Sequence, residues 1–247
     1  MSRQHIILRD LAIGYPHHRV AEGLNAVFNS GELTCLIGAN GVGKSTLLKT
    51  LSGFLPPLSG SVTVASVPLS GMTHRRRART IGIVLTEKPE VSNITVTELV
   101  AMGRQPYTGF WGMMRKEDVA RVEEALALVG LDGLRHRKLQ TLSDGERQKA
   151  MIAKALAQQT PVMLLDEPTA FLDFPSKVEV MKLLHRLAME MDKAVVLSTH
   201  DLEIARRVGD VLWLMDDEKQ LRPYPKEWLS RYLSDVFDAS VERSGVL

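Results

Sequence analysis

The run Gly38-Ala39-Asn40-Gly41-Val42-Gly43-Lys44-Ser45-Thr46 fits the pattern G-x-x-x-x-G-K-[ST]. Glycines at these intervals let a backbone wrap closely around an anion where side chains would collide. The amide N–H groups of the loop, and the start of a helix after it, then face phosphate oxygens. Lys44 supplies a full charge for the outer phosphates of a nucleoside triphosphate, and the Ser45 hydroxyl is a ligand for Mg²⁺. A phosphate loop of this kind predicts a metal carboxylate at the end of a neighbouring buried strand. Val162-Met163-Leu164-Leu165-Asp166-Glu167 supplies two adjacent acids. Asp166 is suited to hold hydrated Mg²⁺, directly or through water. Glu167 is suited to orient or deprotonate an attacking water, a role worth about 10²–10⁴-fold in rate.

The elements that must position these groups are also visible. Leu33 to Ile37 form a nearly continuous apolar run, the pattern of a strand buried on both faces. A helix is predicted over KSTLLKTLSG, closed by Gly53. Before this strand, IILRDLAIGY and VAEGLNAVFN, separated by PHHR, predict an antiparallel ribbon. Between about Ile94 and Ala157 the pattern turns helical, and Val119, Val122, Leu126 and Val129 recur as one apolar stripe. After Pro161, strand and helix alternate: VMLLD, a helix from Ser176 to Met191, AVVLS, a helix from Asp201, then VLWLMD. Alternation of this kind implies an α/β fold with a mostly parallel sheet. Residues 1–220 are expected to form one domain, with 1–93 and 158–220 as the α/β core and 94–157 as a helical insert. The segment 221–247 is expected to be one more amphipathic helix.

Composition narrows the function classes. Of 247 residues, 45% are hydrophobic and 24% charged, and a net charge of +2 gives no basis for a charge-driven nucleic-acid binder. The single cysteine, Cys35, excludes an internal disulfide framework, suits a reducing compartment and is expected to be a buried structural thiol. Arg3, His5, Arg9 and Asp10 interrupt any N-terminal signal peptide. The longest stretch without charge, Thr50 to His74, carries Pro, Gly and Ser and is not a membrane span. The basic residues from His74 to Arg79 are expected to be a solvated face. A guanine-specific protein is disfavoured, since no N-K-x-D segment is present.

Leu142-Ser143-Asp144-Gly145-Glu146-Arg147-Gln148, just before the acidic pair, resembles the signature LSGGQRQ of ATP-binding-cassette (ABC) ATPases. On residue type alone, Ser143 followed by Glu146 fits a capping box, so a helix with anion-attracting N–H groups should begin there. Pro168 to Asp173 resembles the family's D-loop, and Ser198-Thr199-His200-Asp201 its switch-histidine segment. The resemblance implies a P-loop NTPase cassette with an N-terminal antiparallel β layer and an inserted helical subdomain, using ATP and Mg²⁺. It implies that Tyr15 stacks on adenine and that His200 contacts the γ-phosphate and helps hold Glu167 and the water. It further implies that Ser143 and Gly145 close on ATP held by a second copy of the chain, with Asp173 coupling the two sites. Two departures stand out: Asp144 and Glu146 add negative charge at the signature, and Thr86 falls where the family places a glutamine. The Thr86 hydroxyl is able to ligate Mg²⁺, and the neighbouring Glu87 could reach with an added charge.

The stretch Glu98-Leu99-Val100-Ala101-Met102-Gly103-Arg104-Gln105-Pro106-Tyr107 looks like one in the ATPases of iron–siderophore, haem and cobalamin importers. That resemblance implies a peripheral ATPase on the cytoplasmic face of the inner (plasma) membrane. It would serve a separate transmembrane permease pair fed by a substrate-binding protein. The competing classes are a non-transport ABC ATPase and a regulatory cassette that binds ATP with little hydrolysis. The long coiled-coil insertions or fused second cassette that mark several non-transport members are absent from this sequence.

Overall fold

The structure, a computed structural model, describes residues 4–86, 93–109 and 112–225. It begins with a hairpin of β1 (Gln4–Tyr15) and β2 (His18–Asn29), the expected ribbon. β3 (Glu32–Ile37) leads through the glycine loop into α1 (Lys44–Leu51). β4 (Ser59–Val64), β5 (Val67–Pro68), α2 (His74–Ala78) and β6 (Ile81–Val84) follow. The helical region contains α3 (Val96–Ala101), α4 (Lys116–Val129) and α5 (Asp144–Ala157). Alternation then resumes with β7 (Val162–Leu165), α6 (Phe174–Glu190), β8 (Ala194–Ser198), α7 (Leu202–Val208), β9 (Val211–Met215) and β10 (Leu221–Pro223).

The strands form an antiparallel layer in the order β2-β1-β4-β5 and a larger sheet in the order β10-β9-β3-β8-β7-β6. In the larger sheet every pairing is parallel except β9 with β10. Why the central strands read as unbroken apolar runs is plain from their packing. Leu33, Cys35 and Ile37 face one core with the helical region, while Leu36 faces another with the antiparallel layer. The same split divides Met163 and Leu165 from Val162 and Leu164 on β7. A strand covered on both sides has no polar face to alternate with. Cys35 is fully buried in the first core, as expected.

Two expectations need correction. Val119 does not belong to the buried stripe of α4: it is 47% exposed, whereas Val122, Ala125, Leu126 and Val129 are buried. The inward position in the first turn is Asp118, because an ion pair with buried Arg104 takes the place an apolar side chain would fill. The chain after Leu221 does not begin as a helix, since Leu221–Pro223 pairs with β9 at the sheet edge. The remainder of that expected helix, from 226 onward, lies outside the described residues, as does Glu87. The basic segment is largely exposed, as expected, though Arg75 and Arg79 also donate to the Pro106 carbonyl and Arg79 lies over the Tyr107 ring.

Candidate active site

β3, β7 and β8 lie side by side in parallel register, so their C-terminal ends share one edge of the sheet. The predicted chemistry collects there. The glycine loop leaves β3 with Gly38 at φ 148° and enters α1 with Gly43 at φ 122°. A Cβ on Gly38 would sit 2.3 Å from the Met215 carbonyl oxygen, and one on Gly43 would sit 2.6 Å from Val20 Cγ1. The loop therefore needs glycine for space as well as for backbone angle. Ala39, Asn40 and Gly41 are exposed at its crest, and Val42 is buried beneath it. Val20 belongs to the hairpin in which Tyr15, 43% exposed, ends β1. Thr46 continues α1, its carbonyl accepting from Thr50 Oγ1.

Lys44 is only 5% exposed, yet its Nζ donates to neutral carbonyls, Gly38 O at 2.8 Å and Ala39 O at 2.9 Å. Burial pushes the ammonium below its ordinary pKa of 10.5, opposed by the nearby charges of Glu167 and Asp166. Ser45 Oγ donates to Asp166 Oδ1 at 2.9 Å, and Ser198 Oγ donates to the same oxygen at 2.7 Å. Ser198 Oγ also accepts from the Glu167 backbone N–H at 2.9 Å. Glu167 itself has φ 45°, a left-handed turn that takes it off the strand axis. Its Oε2 is 3.4 Å from His200 Nδ1. The Thr86 hydroxyl, at the end of β6, donates to the Asp166 carbonyl at 2.8 Å.

Lys44, Ser45, Thr86, Asp166, Glu167 and His200 are thus brought together. Ser198 joins them at the centre of the network, although the sequence offered only its place in the switch segment. Its signal was positional: a polar residue ending a strand that the topology sets beside β7.

Ser143, Gly145 and Asp173 form a second group, at the starts of α5 and α6. Ser143 caps α5, accepting from the Glu146 N–H, while the Glu146 carboxylate accepts from the Ser143 N–H and hydroxyl. Those donors, the backbone N–H first, pull Glu146 below its ordinary pKa. Asp144 sits 4.0 Å from Arg147. Asp173 Oδ1 accepts from the Ser176 N–H and so caps α6. A Cβ on Gly145 would sit 3.1 Å from Ser176 Oγ, which places the two helix starts against each other. A cavity lined by Thr86, Asp144, Gln148, Glu167 and Phe171 connects this group with the first.

Arg104, from the importer-like stretch, is 2% exposed and bonds Asp118 at 3.0 Å, the Ala157 carbonyl and Gln159. It stacks over Tyr107, 4.0 Å from the ring centre, and the Tyr107 hydroxyl donates to the Gln158 carbonyl. Its work is internal. Nearby, a groove of about 360 Å³ is lined by Phe54, His74, Arg77, Met102, Pro106 and Lys154 among others, with no carboxylate in its wall among the described residues.

With the cradle, the acids and the capped helix in place, the class is defined. Residues 21–170 match the ABC transporter family model, and the chain belongs to that family. It is 38% identical over 209 residues to the ferric enterobactin transport ATP-binding protein of Escherichia coli, covering 85% of this chain and 77% of that one. A chain described as part of a metal-chelate type ABC transporter in an inward-facing conformation superposes with TM-score 0.80 at 27% identity, over 91% of this chain and 84% of the other. A dimeric ATP-binding cassette bound to ADP and phosphate after hydrolysis superposes with TM-score 0.77 at 27% identity, over 90% and 98% of the two chains. Among the described residues, no helix is long and apolar enough to cross a membrane.

Proposed function

We propose that this chain is the ATP-hydrolysing subunit of an importer of a metal chelate, an iron–siderophore, haem or cobalamin. The observation that carries hydrolysis is the Asp166–Glu167 pair, held by Ser45, Ser198 and Thr86 beneath the glycine loop and beside His200. The cargo class is supported by the ferric enterobactin relative and the metal-chelate neighbour. In this reading Tyr15 stacks on the base, and the amides from Gly38 to Thr46 with Lys44 receive the phosphates. Glu167 accepts a proton from the attacking water at its carboxylate, and His200 orients that carboxylate.

The donor set fits Mg²⁺. Ser45 and Asp166 present adjacent hard oxygens, and no group of three or more His, Cys, Asp or Glu side chains placed to hold a metal occurs among the described residues. That is the economy of a metal completed by phosphate and water. When bound, Mg²⁺ neutralises phosphate charge. Thr86, already spending its proton on the Asp166 carbonyl, steadies the backbone at Asp166 and would offer its lone pairs to the metal shell.

Ser143, Gly145 and Asp173 would meet ATP on a second copy. Glu146 is engaged in its capping box and Asp144 lies beside Arg147, so both added charges meet donors within the chain, which supports hydrolysis over a regulatory role. The groove at Phe54 and Lys154 suits a cytoplasmic segment of the permease. Burial alone pushes the Lys154 ammonium below its ordinary pKa, so an acidic partner side chain would be favoured. We assign residues 1–220 to the cassette, with 94–157 as its helical insert, working on the cytoplasmic face of the membrane and supplied indirectly through a substrate-binding protein.

The test is steady-state phosphate release with MgATP, with the permease subunits identified by copurification in detergent. Glu167→Gln should lose at least about 100-fold in hydrolysis while keeping ATP affinity. Hydrolysis by Glu167→Gln at the parental rate would overturn the assignment of the base.

A further inference from the structure

Lys193 lies between α6 and β8 and is only 6% exposed. Its backbone is pinned on both sides: the N–H donates to the Ala188 carbonyl at 3.2 Å, and the carbonyl accepts from the Gly31 N–H at 3.1 Å. The Nζ donates to the Thr160 carbonyl and forms no ion pair among the described residues. An ammonium carries three donors, and one neutral carbonyl uses a single donor and leaves the charge unbalanced. Desolvating such a charge is costly, and burial alone pushes the group below its ordinary pKa of 10.5. Buried Arg104 has Asp118 as its counter-ion, whereas buried Lys193 has none of its own among the described residues.

Lys193 also lines a cavity of about 210 Å³ between α4, the end of α5 and the segment that follows α6. A single ordered water needs about 10–15 Å³ of such space, so the cavity has room for a small organic molecule. Ala125 and Leu156, both buried, and half-buried Leu128 give it an apolar wall. The acid of this lining, Glu124, is already paired with Arg121 at 2.8 Å. Gln159 gives its side-chain oxygen to Arg104, which leaves its N–H₂ end as a second donor at the rim. An occupant that balances the ammonium and covers the wall therefore carries one anionic group on an apolar body.

We propose that this cavity binds a small aliphatic carboxylate, with its charged end on Lys193 and its chain against Ala125, Leu128 and Leu156. The site is separate from the phosphate loop and the acids. Lys193 immediately precedes β8, while Ser198 ends it, about 15 Å away along the strand. The proposal stands on the cavity and the buried charge, and does not depend on the cassette assignment.

The probes are hexanoate, its neutral counterpart hexanol, and acetate, a carboxylate without the chain. Calorimetric titration of the full chain should show saturable hexanoate binding at least about tenfold tighter than either control. Lys193→Met keeps an apolar stem and removes the charge; it should weaken hexanoate at least about tenfold while folding at least as well. Leu128→Trp fills the cavity with the charge intact and should also weaken it at least about tenfold. Both variants should bind ATP as the parent does, and Lys44→Ala should bind hexanoate as the parent does. Hexanoate binding no tighter than that of hexanol or acetate overturns the proposal. So does binding that survives Lys193→Met at parental strength, or that is lost in Lys44→Ala.

Discussion

Two clusters of buried charge lie on opposite sides of the helical insert's boundary, and they are built on different terms. Around Arg104 every demand is met inside the chain. The guanidinium contacts Asp118 through both Nε and Nη2 at 3.0 Å, donates to a carbonyl and an amide oxygen, and stacks on Tyr107. The other Asp118 oxygen accepts from the Arg115 N–H at 2.9 Å. Around Lys44 the demands are met by dipoles: the ammonium has two carbonyls, and Asp166 has two hydroxyls converging on Oδ1. Neutral partners hold a charge in place without cancelling it, so its field remains available to an incoming ion. A buried pair that is both close and fully bonded attracts nothing further. The difference separates an internal brace from a ligand site, though both contain a buried cation near an aspartate.

The comparison is broken or sharpened by mutation. The largest effect should be Arg104→Ala, which strands Asp118 and costs about 3–5 kcal/mol in a urea melt. Replacing both partners, Arg104→Met with Asp118→Leu, should recover much of that loss. A small effect of the single change would mean that the brace is not closed. Lys44→Ala should behave oppositely. ATP affinity, measured by titration calorimetry, should fall by about 1.5–3 kcal/mol, roughly 10- to 150-fold, for the lost charged contacts. Its unfolding midpoint should hold or rise, because a desolvated ammonium is removed. A destabilisation matching that of Arg104→Ala would erase the distinction.

The smallest effect is on the acid limb. Glu98, Asp118 and Glu146 are each pulled below their ordinary values of 4.5, 3.8 and 4.5, chiefly by backbone N–H donors at helix starts. Carboxylates lowered by folding contribute stability that is complete above those ordinary values and is lost as pH falls through the lowered ones. Helical circular dichroism should therefore weaken below about pH 4, earlier in Glu146→Gln. A profile that gains stability on acidification would contradict the caps.

Much of the candidate site was legible before folding was considered. The spacing from Gly38 to Ser45, the acids after VMLLD and the Ser143–Glu146 box are local patterns, each imposed by one loop, strand end or helix start. Ser198 was not legible in this way, because its two bonds cross from β8 to β7 and depend on strand order. The burial of Arg104 was not legible either, because its partner, Asp118, is 14 positions away on another helix. Val119 satisfied a periodic pattern, but the helix turned its neighbour inward to meet that arginine.

What the sequence by itself determined, then, was the phosphate loop, the acidic pair, the capped helix starts and the alternation that makes a parallel sheet. These follow from contacts within a few residues, where backbone geometry leaves little choice. The tertiary structure alone decided which serine grips Asp166, which face of α4 is inward, and that Leu221–Pro223 closes the sheet edge. Each of these depends on which distant surfaces pack together, a free-energy balance over many residues that no local pattern contains.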